Sequence, residues 1–175
     1  MPLARILAEW HDFFLLVGTA GATLVALLFV AASLGAGYMT AEGAMGTRTF
    51  MTPVVIHFAS VFFMSAVALV PSMNAAVFAG LIGTAALVGI GVSIFVIVMV
   101  LISNMTSDNF DRLAYGLLPA AAYIAALVAA ALVFTGKEWS IDVLGGALLL
   151  LTIVNIRNGW DLTLSMVRRH AKPRK

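Results

Sequence analysis

The sequence predicts an all-α polytopic membrane protein, a bundle of five transmembrane helices, on three observations. Of its 175 residues 62% are hydrophobic and only 10% charged, against about 25% charged in soluble domains. The charged residues collect between five long apolar runs and hardly enter them. Those runs are rich in Ala, Leu and Gly and do not alternate apolar with polar residues, as a membrane barrel must. A soluble fold of this size could not hide so much apolar surface from water.

The spans are expected at 13–36, 53–70, 75–102, 113–134 and 141–160, in a single domain covering 1–175, with a basic tail at 168–175. A crossing takes about 20 apolar residues. Span 1 follows Arg5, Glu9 and Asp12. At 100° per residue these share a face with Thr19, Ala22, Thr23, Ala26 and Ser33. Together with Gly18 they make a small-residue stripe of the kind that lets membrane helices approach closely. The acidic pair Glu9 and Asp12 would cap an outer mouth. A Gly- and Thr-rich loop is expected over 37–52, with Pro53 in the first turn of span 2. His57 then lies one turn inside that span. Pro71-Ser72-Met73-Asn74 reads as a tight turn, with Ser72 capping span 3.

Span 3 is long, and Gly80, Gly83, Thr84 and Gly91 share one of its faces. Gly89-Ile90-Gly91 is its expected bend. Thr106, Ser107 and Asp108 would cap span 4, in which Pro119 should produce a kink. Ser140 would cap span 5, with Trp139 as an interfacial anchor and Asp142 in the first turn, where it suits the helix dipole. That span ends on the most polar helical stretch of the chain, Asn155-Ile156-Arg157-Asn158-Gly159-Trp160-Asp161. Arg157 and Asp161 are spaced to pair across one turn.

Five spans put the two termini on opposite sides. With the N-terminus outside, eight of the ten Lys and Arg residues lie on or at the edge of the inner side, leaving Arg5 and Lys137 outside. The positive-inside rule therefore predicts N-out and C-in. In that orientation His57, Asn155, Arg157, Asn158 and Asp161 gather near the inner boundary, at the depth of Asp108, Asp111 and Arg112 in the loop between spans 3 and 4. They form either a satisfied structural set tying helix ends together or a polar inner mouth.

No Asp or Glu lies deep in any span, which argues against a proton- or sodium-coupled carrier. With no Cys there is no disulfide or thiolate chemistry. His11 and His57 fall at opposite faces and cannot share a metal or haem, and Ser60 near His57 lacks an orienting acid. Neither an enzyme nor a metal or cofactor site is expected. The N-terminus does not read as a cleavable signal, so span 1 is expected to be retained. The basic tail Arg168–Lys175 is a topology signal with a possible second role on anionic lipid, not a nucleic-acid site.

Two segments carry a resemblance. Trp10-His11-Asp12-Phe13-Phe14-Leu15-Leu16-Val17-Gly18-Thr19-Ala20, continued by Ala22-Thr23-Leu24 and Leu27-Leu28-Phe29-Val30-Ala31, resembles the opening of small bacterial multi-pass membrane proteins of unassigned function. The closing Asn155–Asp161 stretch is similar to the polar end of their last span, where Asn-x-Trp-Asp occurs. Together they cover about a third of the chain. The resemblance implies a bacterial inner membrane and carries over no activity. The residues themselves point to a homo-oligomeric channel or pore for ions or small polar solutes, or alternatively to a non-catalytic scaffold or accessory subunit of a membrane complex.

Overall fold

The computed structural model describes the backbone of residues 3–36, 41–103 and 113–170, with side chains over 3–33, 51–100 and 115–164. Among the described residues there are six α-helices, a π-helical turn and no strand. The helices are α1 (Leu3–Glu9), α2 (His11–Ala36), α3 (Ala41–Ala68), α4 (Ala75–Ser103), α5 (Leu118–Phe134) and α6 (Ser140–His170), the π turn being Leu113–Leu117. Five stretches are long and apolar enough to cross a membrane: His11–Ser33, Met51–Ala68, Ala75–Val100, Tyr115–Phe134 and Ser140–Leu164. A helix satisfies its backbone within itself, which is what hydrocarbon demands.

The helix ends depart from expectation where local chemistry and the lipid solvent compete. The loop expected over 37–52 is helical from Ala41, and Pro53 sits inside α3, not in its first turn. Ala41, Glu42, Ala44 and Met45 are good helix formers, and the gain of continuing outweighs the one amide that Pro53 lacks. Ser72 does not cap α4: it takes a left-handed φ of 54° in the turn. Asn74 does the capping, its Oδ1 accepting from the Ala76 amide at 2.8 Å. No break interrupts α4 at Gly89-Ile90-Gly91.

Pro119 occupies the first turn of α5, directly after the π turn, so the helix departs from α geometry one turn before the proline. The wider turn gives the pyrrolidine ring room where α geometry would drive it into the carbonyl four residues back. Thr106, Ser107 and Asp108, the expected caps of that span, lie outside the described residues, as do Asp111 and Arg112. At the other end of α5, Gly136 adopts φ 74°. The amide of Lys137 then returns to the Leu132 carbonyl at 2.9 Å, closing the helix with a glycine-based C-cap. Ser140 is the first residue of α6 and not a residue ahead of it, and α6 continues past 160 to His170.

α3 and α6 form the centre of the bundle. Half or more of their spanning windows is buried, 50% and 56%, against 28% for α2 and for α4. α2 packs mainly on α3, and α4 mainly on α5, which in turn lies along α6. The outward faces of α2 and α4 are apolar and exposed, with Leu16, Leu27, Phe29, Leu87, Val88 and Ile94 among them. Such a surface belongs against lipid. Trp10 lies over Gly145 near the start of α6, and Leu28 lies over Gly159 near its polar end. α2 and α6 therefore run the same way, and the first and last spans start at one end of the bundle.

Close helix approach is concentrated on α2 and α3. A Cβ added at Gly21 would sit 3.1 Å from the Phe58 carbonyl oxygen and 3.3 Å from the Phe62 amide nitrogen, both rigid backbone. Gly80 has nothing within 4 Å of such a Cβ. Gly21→Val is accordingly expected to lower stability by about 2 kcal/mol through overpacking. Gly80→Ala should be neutral or stabilising by up to ~1 kcal/mol, the helix-propensity gain. Unfolding in detergent micelles checks both, and equal effects at the two sites would refute the packing assignment.

Candidate functional site in the bundle interior

Most of the buried polar side chains, and all the nitrogen-bearing ones, lie in one half of the bundle. The half nearer the starts of α2 and α6 is filled by Phe14, Met64, Phe78, Ile82, Leu144 and Leu148, all at most 1% exposed. Its buried polar side chains are Ser65 and Ser140. The other half, towards the polar end of α6, holds His57, Ser93, Asn155 and Asn158, with Thr152 close to the middle.

At the centre is a histidine–tyrosine pair. His57 Nδ1 lies 2.9 Å from the Tyr123 hydroxyl, and both side chains are buried. Tyr123 stands near the midpoint of its span, on the Ala-rich α5, and its ring lies directly against Gly89 of α4, where a Cβ would overlap three ring carbons. The Ser60 hydroxyl, one turn along α3 from His57, donates to the Ile56 carbonyl at 2.8 Å. One tyrosine thus connects α3, α4 and α5.

Three buried polar atoms have no hydrogen-bond partner among the described residues: His57 Nε2, Asn155 Oδ1 and Ser65 Oγ. Asn155 is 0% exposed, and its amide group donates to the Leu151 carbonyl at 2.7 Å, leaving the oxygen unpaired. Gly159, one turn further along α6, sits beside Val54 of α3. The two helices run antiparallel, so a turn back along α6 and a turn forward along α3 bring Asn155 to the level of His57 and Phe58. Other interior hydroxyls are satisfied on their own helix: Thr152 donates to Leu148 at 2.7 Å and Ser93 to Gly89 at 2.9 Å. Against that background an unpaired imidazole nitrogen and amide oxygen stand out, since each orphaned polar atom in an apolar medium costs several kcal/mol.

The expected cluster of five residues is thus spread along a depth. Arg157 and Asp161 pair at 3.2 Å, each about a third exposed, at the polar end of α6. Asn158 is buried behind them and accepts from Arg157 at 3.4 Å, and its backbone carbonyl receives the Tyr115 hydroxyl at 3.1 Å. His57 and Asn155 lie deeper still. At the opposite end Glu9 pairs with Arg5 at 3.4 Å, and Asp12 lies 3.1 Å from His11, all on the exposed surface.

The small-residue positions divide. Gly18 lies in the α2–α3 contact, where a Cβ would meet Ser65 at 2.9 Å, and Gly83 touches Ala130 and Leu127. Thr19, Thr23, Gly80, Thr84 and Gly91 are exposed on the outside of the bundle, and the hydroxyls of Thr23 and Thr84 donate back to their own helices at 2.8 and 2.7 Å. Gly91 also lines an open apolar groove of about 580 Å³ between α3 and α4, with Pro53, Ile56, Val88 and Phe95. The groove faces outward and none of the polar atoms above lines it. Sequence reasoning did not assign Tyr123, Tyr115, Ser65 or Gly89 to a site. The available signal was a lone tyrosine in the middle of an alanine-rich span.

Fold and site together define an integral, multi-pass membrane protein with a polar interior in one half of its bundle. Comparison with protein-family models, with curated proteins and with solved structures finds no match to this chain.

Proposed function

We propose that this protein is the subunit of a homo-oligomeric channel for ions or small polar solutes in a bacterial inner membrane, with its basic C-terminal end in the cytoplasm. The observation that carries the reading is the graded polar interior. It runs from the partly exposed Arg157–Asp161 pair, through Asn158 and Tyr115, to the unpaired His57 Nε2 and Asn155 Oδ1 near the centre. Polar groups inside a membrane bundle are costly and mark pathways for substrates and ions. The apolar half beyond them supplies the barrier a resting channel needs, since hydrophobic constrictions gate by excluding water.

Assembly is supported by the exposed Gly80, Thr84 and Gly91 on α4 and Thr19 and Thr23 on α2, small residues suited to a second helix. The same faces favour the second reading, a scaffold that offers them to a different subunit. The basic residues are distributed as the positive-inside rule requires for a cytoplasmic C-terminus.

Native mass measurement in nanodiscs, combined with flux in proteoliposomes, tests the proposal. The expected result is a closed oligomer that releases small ions or polar solutes from liposomes. Gly80→Leu with Gly91→Leu should shift the mass towards monomer without lowering monomer stability, because neither position touches its own bundle. A strictly monomeric wild-type particle overturns the channel, and a stoichiometric unrelated partner replaces it with the scaffold.

A further inference from the structure

The interior groups specify what kind of species could pass, and this step rests on the channel reading. His57 Nε2 and Asn155 Oδ1 are so enclosed that a water-sized probe hardly reaches them, and Tyr123 and Asn155 are 0% exposed. A hydrated ion or a solute would have to part α3, α5 and α6 around these side chains. A hydrogen ion needs only a chain of exchangeable hydrogens and an occasional water. We infer that the species carried through this interior is the proton, that the His57 imidazole is its relay, and that Tyr123 decides which ring nitrogen holds the hydrogen.

Two hydrogen placements satisfy the 2.9 Å His57–Tyr123 contact. In one, the tyrosine hydroxyl donates to Nδ1 and Nε2 carries the ring hydrogen. In the other, Nδ1–H donates to the tyrosine oxygen, the hydroxyl hydrogen turns away from His57, and Nε2 presents a lone pair. From the second arrangement, Nε2 takes a proton from a hydronium ion arriving from the polar end of α6, which leaves as water. Nδ1 passes its hydrogen to the Tyr123 oxygen as that oxygen releases its own to a water on the far side. One N–H bond forms and one breaks; two O–H bonds break, at the hydronium and the tyrosine, and two form, at the tyrosine and the receiving water, so no oxidant or reductant is needed. The imidazole is left in the first tautomer; with the ring turned, Nδ1 takes the next proton and Nε2 releases its hydrogen on the far side, which restores the second tautomer before the ring turns back.

The setting suits a relay more than a store of charge. The titratable group facing His57 is Tyr123, from α5. Asn155 of α6 is uncharged, and Arg157 and Asp161 neutralise one another nearer the end of that helix. α4 carries no titratable side chain, and α2 only His11 and Asp12, at its opposite end. Among the described residues no fixed charge therefore holds the proton at His57. The apolar half, with Met64, Phe78, Ile82 and Leu148, is the barrier at which water entry gates conduction.

The test is a dye-reported pH gradient in proteoliposomes of this protein, with valinomycin to balance charge, alongside potassium and glycerol flux on vesicles of the same preparation without valinomycin. Wild type should dissipate the gradient while excluding potassium and glycerol. His57→Gln should slow proton flux at least tenfold, Tyr123→Phe should slow it severalfold, and Val128→Ala on the exposed face of α5 should match wild type. Solid-state ¹⁵N NMR of labelled histidine supplies a readout independent of flux: wild type should show both His57 tautomers, and Tyr123→Phe should leave predominantly one. Potassium or glycerol flux without proton flux would sink this inference and leave the channel standing. No flux of any kind would sink both. A His57 fixed in one tautomer in both proteins, or a folded His57→Gln conducting like wild type, would remove the relay.

Discussion

Gly89→Ala is expected to lower the stability of the bundle by about 2–3 kcal/mol, a large effect for adding one methyl group. A Cβ at this position would overlap three carbons of the Tyr123 ring. The ring is flat and stiff, so it cannot give way as a methionine or lysine end would. Its hydroxyl is engaged by His57 at 2.9 Å, which fixes the far end. Either α4 and α5 separate, opening gaps along a well-packed contact, or the tyrosine leaves and abandons a buried hydroxyl and an imidazole together. Alanine's better helix propensity returns up to ~1 kcal/mol and does not cancel this. Thermal or denaturant unfolding in a fixed detergent measures the loss. Adding Tyr123→Ala to Gly89→Ala should cost less than the sum of the single changes, with a coupling of about 1–3 kcal/mol. A Gly89→Ala protein as stable as wild type would contradict the position of Tyr123, and the relay would lose its geometry.

That result would also locate the boundary of what the amino-acid order reveals. The five crossings are legible because length and hydropathy are properties of a single segment, and hydrocarbon punishes any other backbone arrangement. The Arg157–Asp161 pair is legible for the same reason: both residues lie one turn apart on one helix. Helix ends are less legible. Ala41–Thr52 contains two glycines and three threonines that suggest a loop, yet alanine, glutamate and methionine between them and the adjoining span carry the helix through. Gly89 and Gly91 show the limit most plainly. They are two residues apart on α4 and chemically identical, but one receives a tyrosine ring while the other faces outward with nothing within 4 Å. Only the neighbouring helix distinguishes them. His57 and Tyr123 likewise lie 66 residues apart, and no periodicity joins them.

Asn155→Leu should separate stability from activity, and in opposite directions. The two side chains share the same branched heavy-atom frame and leucine is the larger, so the change opens no cavity. The wild-type amide makes one hydrogen bond, from its nitrogen to the Leu151 carbonyl at 2.7 Å, a carbonyl already engaged in the helix ladder. Its oxygen has no partner among the described residues and is fully buried. Replacing such a half-satisfied group by an apolar one removes a desolvation cost of about 1–3 kcal/mol and forfeits a bond worth only ~1 kcal/mol. The variant is therefore expected to be as stable as wild type, or more stable by up to ~2 kcal/mol. If the interior conducts, a leucine at the level of His57 removes the amide oxygen that a passing water could use, and flux should fall at least tenfold. A purely structural asparagine predicts the reverse pattern: unfolding at lower temperature, with whatever flux exists unchanged per folded molecule. Proteins retain destabilising polar groups where activity uses them. A protein both stabilised and silenced by one substitution would identify Asn155 as such a group.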